Sequence, residues 1–207
     1  SVAKAALFDT TGREVALARR KVPLEMPRSD WREIDAARLW KATAEAVREV
    51  VDRAGVAPAE IEAIACTGHG NGLYLVDESG QPVRKGISSS DSRARSYVEQ
   101  WDADGGIERL RGKTLQCNWP AQPNALLRWL IDHEPETLDK SRWALICKDY
   151  VRMRLTGEAK ADLTDYSGTS LLDVVRGDFD EELFEAFGIG QLRRLMPPIV
   201  RSTEHSG

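Results

Sequence analysis

Residues 61–95 constrain the fold more than any other part of the chain. Residues 61–66, Ile-Glu-Ala-Ile-Ala-Cys, are short, small and largely apolar, the composition of a strand buried where space is tight. Thr67-Gly68-His69-Gly70-Asn71-Gly72 follows, with glycine at every second position. Glycine there permits a positive φ and lets a ligand or another backbone come close. Residues 73–77 form a second apolar run and Glu78-Ser79-Gly80-Gln81-Pro82 is turn chemistry, so the spacing predicts a hairpin returning through residues 83–88. Ser88, Ser89 and Ser90 supply hydroxyls, and Asp91 is placed to cap a helix beginning at Ser92. The loop at residues 69–71 therefore falls at a strand end, where α/β sheets hold ligands.

Upstream, residues 3–8 and 14–19 read as a hairpin around the turn Asp9-Thr10-Thr11-Gly12, and residues 22–31 as irregular chain or an extended third strand. The abrupt start at a strand leads us to expect a cut on its N-terminal side. Asp35 is a good N-cap for a helix over 36–54, whose Leu39, Trp40, Thr43, Ala46, Val47, Val50 and Val51 share one face, with Gly55 as its stop. Pro58 starts a brief helical turn. Downstream, residues 107–117 show no clear period and 118–123 form a loop. Helices are expected over 124–133, 148–155 and 180–187, with a short strand over 143–147 and a tail over 202–207. The sum is one α/β domain with an antiparallel opening.

At 207 residues the chain can bury a real core, and a net charge of −4 argues against nucleic acid or an anionic membrane as main partner. No apolar run approaches the ~20 residues of a spanning helix. Cys66, Cys117 and Cys147 are odd in number and widely spaced, which suits a reducing cytoplasm better than a disulfide framework. Cys66 and His69 have a C-x-x-H spacing without a second pair, so no zinc site is expected.

Alternating glycine and polar residues at 69–71 can present donors and acceptors to a sugar, or can form a plain turn with a local role for His69. The serines at 88–90 can line a polyol site or serve as an N-cap ladder. Asp91 and Arg93, two apart, would not face each other on a helix, and a buried pairing for Arg93 is expected. Trp119 with Gln122 is a common way to hold a sugar, and a core tryptophan is the equal alternative. Asp162, Thr164, Asp165 and Ser167 can ligand a cation or form a solvated turn. No Walker A motif, G-x-G-x-x-G or Ser/His/Asp arrangement is present.

Four segments in register add to this. They are Lys4-Ala5-Ala6-Leu7-Phe8-Asp9 with Gly12; Trp31, Glu33 and Asp35 leading to Leu39-Trp40; Cys66 to Gly72 through Val76-Asp77 to Ser90-Asp91, Arg93 and Ala94; and Leu126-Leu127 with Trp129 and His133-Glu134-Pro135-Glu136, continuing to Lys148-Asp149-Tyr150, Arg152 and Leu155-Thr156-Gly157. In this order they resemble the N-terminal domain of the FGGY carbohydrate kinases, and within them the xylulose kinase branch. Residues 71–94, with Ser-Ser-Asp where many relatives have Trp-Asn-Asp, look most like L-xylulose kinases.

The resemblance implies an actin-like ATPase (ribonuclease H-like) α/β fold, a mixed sheet with flanking helices. It implies a phosphotransferase whose two domains close on a sugar and Mg2+-ATP, where a base takes the proton of a sugar hydroxyl that attacks the γ-phosphate. Its sugar contacts fall on His69, Gly70 and Asn71, where relatives carry larger polar residues at 70 and 71, and a second set on Trp119 and Gln122. A Gly-Asp-Gly-Thr phosphate loop is expected before Ser1, and a catalytic aspartate in a Gly-Gly-x-Asp segment after Gly207. Residues 1–207 then read as a sugar-binding domain without a catalytic or metal-binding residue of its own, inactive alone, with ATP and Mg2+ held mainly elsewhere. Expected partners are a pentulose such as xylulose and the chain's own C-terminal ATP-binding domain, with a homodimer left open. Rival readings are a kinase for erythritol, ribulose or glycerol, and a non-catalytic actin-like sugar-binding module.

Overall fold

Residues 1–204 are described in the computed structural model of the chain, so residues 205–207 of the expected tail lie outside it. Strands β1 (Val2–Phe8) and β2 (Glu14–Lys21) pair antiparallel, Val2 opposite Lys21 and Leu7 opposite Ala16. Asp9 closes the turn between them by accepting from the backbone N–H groups of Thr11 and Arg13. Residues 22–31 are irregular, as one of the two readings had it, with a single bridge from Glu25 to Glu33, and the next strand is β3 (Glu33–Ile34). Helix α1 (Ala36–Ala54) packs on the first hairpin through Leu39, Ala42, Ala46 and Val50, a 3–4 repeat. Asp35 accepts from Arg38 N–H at 3.0 Å, and Gly55 stops the helix in the left-handed region. A 3-10 turn at Pro58–Glu60 follows, as the proline signals.

The strand expected over 61–66 does not form. This stretch is largely exposed, Ile64 at 62%, and no backbone N–H of residues 62–68 finds a partner among the described residues. Apolar composition favours a strand, but a strand also needs a neighbour, and the described residues supply none. The hairpin after it does form. Leu73, just before β4 (Tyr74–Val76), bridges to Ile87 of β5 (Gly86–Ile87) by backbone hydrogen bonds of 2.9 and 2.8 Å, and β5 pairs with β3.

The helix expected from Ser92 begins at Arg95, as α2 (Arg95–Ala103), without a side-chain cap. Asp91 does not cap it because its carboxylate is engaged by Arg93 and by Arg32 N–H. Since both lie in a turn rather than on a helix, Asp91 and Arg93 do meet despite their spacing. Helix α3 (Gly106–Thr114) occupies a segment without clear period, anchored by Ile107, Leu110 and Thr114. Helix α4 (Pro123–His133) is buried on nearly every side, and α5 (Pro135–Lys140) follows at once. Strand β6 (Trp143–Leu145) pairs antiparallel with β4, and α6 (Cys147–Thr156) ends at Gly157.

The remainder comprises β7 (Ala161–Asp162), α7 (Leu163–Tyr166), β8 (Leu172–Asp173), β9 (Asp178–Phe179), α8 (Glu181–Ala186) and β10 (Ile199–Val200). β10 runs parallel to β7 and β8 antiparallel to β9, giving mixed strand pairing with flanking helices. One core gathers Leu126, Leu127 and Leu130 of α4 with Leu171, Phe184 and Leu195; a second stacks Tyr74 on Tyr150, centroids 5.6 Å apart, beside Val76 and Leu145.

Candidate functional site

Three segments distant in sequence meet at the end of β4: residues 68–72, residues 118–122 before α4, and residues 165–170 after β7. Gly72 N–H donates to the Ala121 carbonyl at 2.9 Å, and Gln122 Nε2 donates to the Gly168 carbonyl at 2.8 Å. Ser170 Oγ donates to Asn118 Oδ1 at 2.6 Å. Residues 69–71 and 119–122, both expected to touch a sugar, thus lie together.

Of the alternating glycines, only Gly72 is left-handed, with φ +71°, and a Cβ there would lie 2.5 Å from the Ile87 carbonyl oxygen. Asn71 is left-handed as well, at φ 59°, a region asparagine tolerates better than other side chains. This conformation turns Asn71 inward: the residue is buried, and its Oδ1 has no partner among the described residues. Gly70 is exposed and outside the left-handed region.

His69 is half-buried, with Nε2 3.1 Å from Tyr74 Oη and Nδ1 buried without a partner among the described residues. Burial holds its pKa below the ordinary histidine value, partly opposed by the Gly70 carbonyl and the Asp165 charge. Tyr74 leads on to Cys147, whose thiol burial pushes up to about 11. All three cysteines are free.

Trp119 is 39% exposed and presents its ring at the surface, which excludes a core role. Gln122, expected as a sugar contact, is fully buried, and both ends of its amide serve the protein: Oε1 accepts from Trp119 N–H at 3.1 Å while Nε2 holds Gly168. It fixes the walls of the site. Asn118 is a residue that sequence reasoning passed over; its Nδ2 is buried and unpartnered among the described residues. Of the serines, Ser88 Oγ lies 3.2 Å from Ser90 Oγ, so these hydroxyls bond one another.

The polar loop at 162–167 is neither a cation loop nor a solvated turn. Lys148 Nζ stands among Asp149, Asp162 and Asp165 at 3.5, 2.9 and 3.2 Å, and Arg152 pairs with Asp149 at 2.9 Å. Burial pushes Asp149 up to about 6 against the pull of Lys148 and Arg152. Burial would raise Asp162 too, but hydrogen bonds from Thr164, Lys148 and Ser202 outweigh it and hold Asp162 well below the usual carboxylate range. The carboxylates are paired with cations of the chain itself, and no His/Cys/Asp/Glu group suited to a metal occurs among the described residues. Cavities of about 620 and 460 Å³ are lined by other residues, around Lys113 and Arg176 and around Arg142 and Arg194.

Residues 1–207 match the model of the FGGY family of carbohydrate kinases, N-terminal domain. The chain is 34% identical over 204 residues to a probable L-xylulose kinase of Pasteurella multocida, covering 99% of this chain and 42% of that protein. The L-xylulose/3-keto-L-gulonate kinase of Escherichia coli is also 34% identical over 204 residues, covering 99% of this chain and 41% of that protein. Among solved structures, the xylulose kinase of Rhodospirillum rubrum superposes with a TM-score of 0.86 at 25% identity, covering 96% of this chain and 41% of that one. The chain thus spans about two fifths of the length of these relatives, and shares their actin-like fold.

Proposed function

The chain belongs to the FGGY family of carbohydrate kinases, and from that premise we propose that residues 1–207 are the sugar-binding half of an ATP-dependent kinase phosphorylating a pentulose such as xylulose. The observation that carries the reading is the meeting of the 69–71 and 119–122 loops around buried amide and imidazole groups left without partners. Such groups are costly to bury unless a ligand completes them, and a polyol is a ligand made of matching donors and acceptors.

His69 and Asn71 bind and orient sugar hydroxyls, Trp119 covers an apolar face of the sugar, and Gln122 keeps the two loops in register. Gly70 lets the sugar approach the backbone. ATP supplies the phosphoryl group, and we assign its binding and the proton-accepting base to segments outside residues 1–207, with a C-terminal domain closing on the sugar. The acidic residues described above do not fit Mg2+, since Lys148 stands among all three and Arg152 pairs with Asp149, so we assign the metal to the same outside segments. Three free cysteines support a cytoplasmic location.

The test is ADP release by the full-length kinase with ATP, Mg2+ and a panel of ketoses and polyols. Turnover with L- or D-xylulose supports the proposal. Turnover only with a tetritol or triol overturns the substrate, and no turnover by a folded protein that binds ATP overturns the kinase reading in favour of a binding module.

A further inference from the structure

We infer that Asp165 accepts a hydrogen bond from a hydroxyl of the bound sugar, and that Gly70 keeps the space before it open. The inference rests on the sugar-kinase reading above and adds to it a residue that sets specificity.

Asp165 lies in α7, 22% of its side chain exposed. Its two oxygens have different surroundings. Oδ2 is buried and faces Lys148 Nζ at 3.2 Å. Oδ1 accepts no hydrogen bond among the described residues, and it is the one atom that a Cβ at Gly70 would meet, at 3.8 Å. Gly70 is exposed and not in the left-handed region, so its backbone would accept any side chain without strain. What glycine supplies here is room. A longer side chain would extend over the carboxylate and shut it off from the loop.

The rest of the surroundings suit a hydroxyl. Asn71 Oδ1 and His69 Nδ1, on the residues flanking Gly70, are buried and unpartnered. Lys148 pairs with one oxygen by charge at 3.2 Å without a hydrogen bond, and Asp149 and Asp162 hold Lys148 in turn, so the carboxylate sits beside a fixed cation before a ligand arrives. An ionised carboxylate is acceptor-only, and its bonds to hydroxyls are among the stronger neutral-donor contacts.

The experiment titrates the full-length kinase with L- and D-xylulose by calorimetry and follows ADP release, comparing wild type with Asp165→Asn, Gly70→Ala and Gly70→Met. We expect Asp165→Asn and Gly70→Met each to weaken sugar binding about tenfold or more, raising KM more than they lower kcat. Gly70→Ala should have a smaller effect. Asp165→Asn also removes an ion pair; Gly70→Met leaves the Lys148 pairing intact and shows that the effect is not one of folding. Wild-type affinity in both Asp165→Asn and Gly70→Met would overturn the inference and leave Asp165 a partner of Lys148 only. Sugar binding without ADP release would overturn the kinase reading while the variants still decide the inference; no binding of either sugar by wild type would overturn both.

Discussion

The side-chain amide of Gln122 donates to the backbone carbonyl of Gly168 across 2.8 Å, joining loops 46 residues apart. Its oxygen takes the Trp119 N–H, so alanine here breaks two hydrogen bonds and leaves two backbone groups without partners. Gln122→Ala should cost about 2–4 kcal/mol in urea unfolding. Gln122→Met, which keeps the volume, should lose nearly as much; full recovery by methionine would mean that packing, not hydrogen bonding, is what Gln122 supplies.

Gly72 and Gly70 should respond in opposite ways to the same change. Alanine at 72 forces a left-handed backbone and places Cβ 2.5 Å from the Ile87 carbonyl oxygen and 3.1 Å from Ser89 N. Gly72→Ala should therefore destabilise by about 2 kcal/mol or more, and Gly70→Ala by less than about 0.5 kcal/mol. Equal denaturation midpoints for the two variants would contradict the backbone described here.

Arg93 is fully buried, bonded to both oxygens of Asp91 and to Glu33 at 2.9 Å, with its guanidinium 4.0 Å from the Trp31 ring centroid. Arg93→Met leaves the buried Asp91 without a cationic partner and Glu33 with Arg84 alone, and should cost about 3–5 kcal/mol. Arg93→Lys should recover little, because an ammonium can neither form the bidentate bond to Asp91 nor stack on Trp31. Thermal melting of both variants checks this, and a lysine variant as stable as wild type would refute it.

Two buried groups should give opposite pH dependences. The folded chain binds more protons at Asp149 than the unfolded chain between pH about 4 and about 6, so this contribution to stability falls as pH rises through that window. Asp149→Asn should accordingly gain on wild type from about pH 4 to about 6 and then hold a constant difference. His69 is depressed, so its contribution is present above about pH 6.5 and is lost as pH falls toward its folded pKa. His69→Gln should gain on wild type as pH falls. Melting curves from pH 4 to 7.5 that move both variants in one direction would contradict these assignments.

What local chemistry decides was legible in the residues. Asp35 and Gly55 bound α1 as their types require, and the turn at 78–82 returns the chain to pair Leu73 with Ile87. What depends on distant partners was not. Residues 61–66 have a strand's composition without a strand beside them, and Asp91 has a cap's identity while Arg93 holds its carboxylate. Helix α3 lacked a clear apolar period because only Ile107, Leu110 and Thr114 face the core. Of the candidate site, the two loops singled out separately in the sequence, at 69–71 and 119–122, come together, Gly72 N–H on the Ala121 carbonyl. The third wall was hidden: no spacing rule ties Gly168 to Gln122, and the acidic residues at 162 and 165 read as a cation loop or a solvated turn until Lys148 is seen among them.

The loop that enters the site is fastened at one end. Gly72 is tied to Ala121 and Leu73 to Ile87, while the backbone N–H groups of residues 62–68 have no partner among the described residues. Those unpaired groups can be met by a strand laid alongside them, and such a strand would steady the approach to Asn71 without touching Asn71.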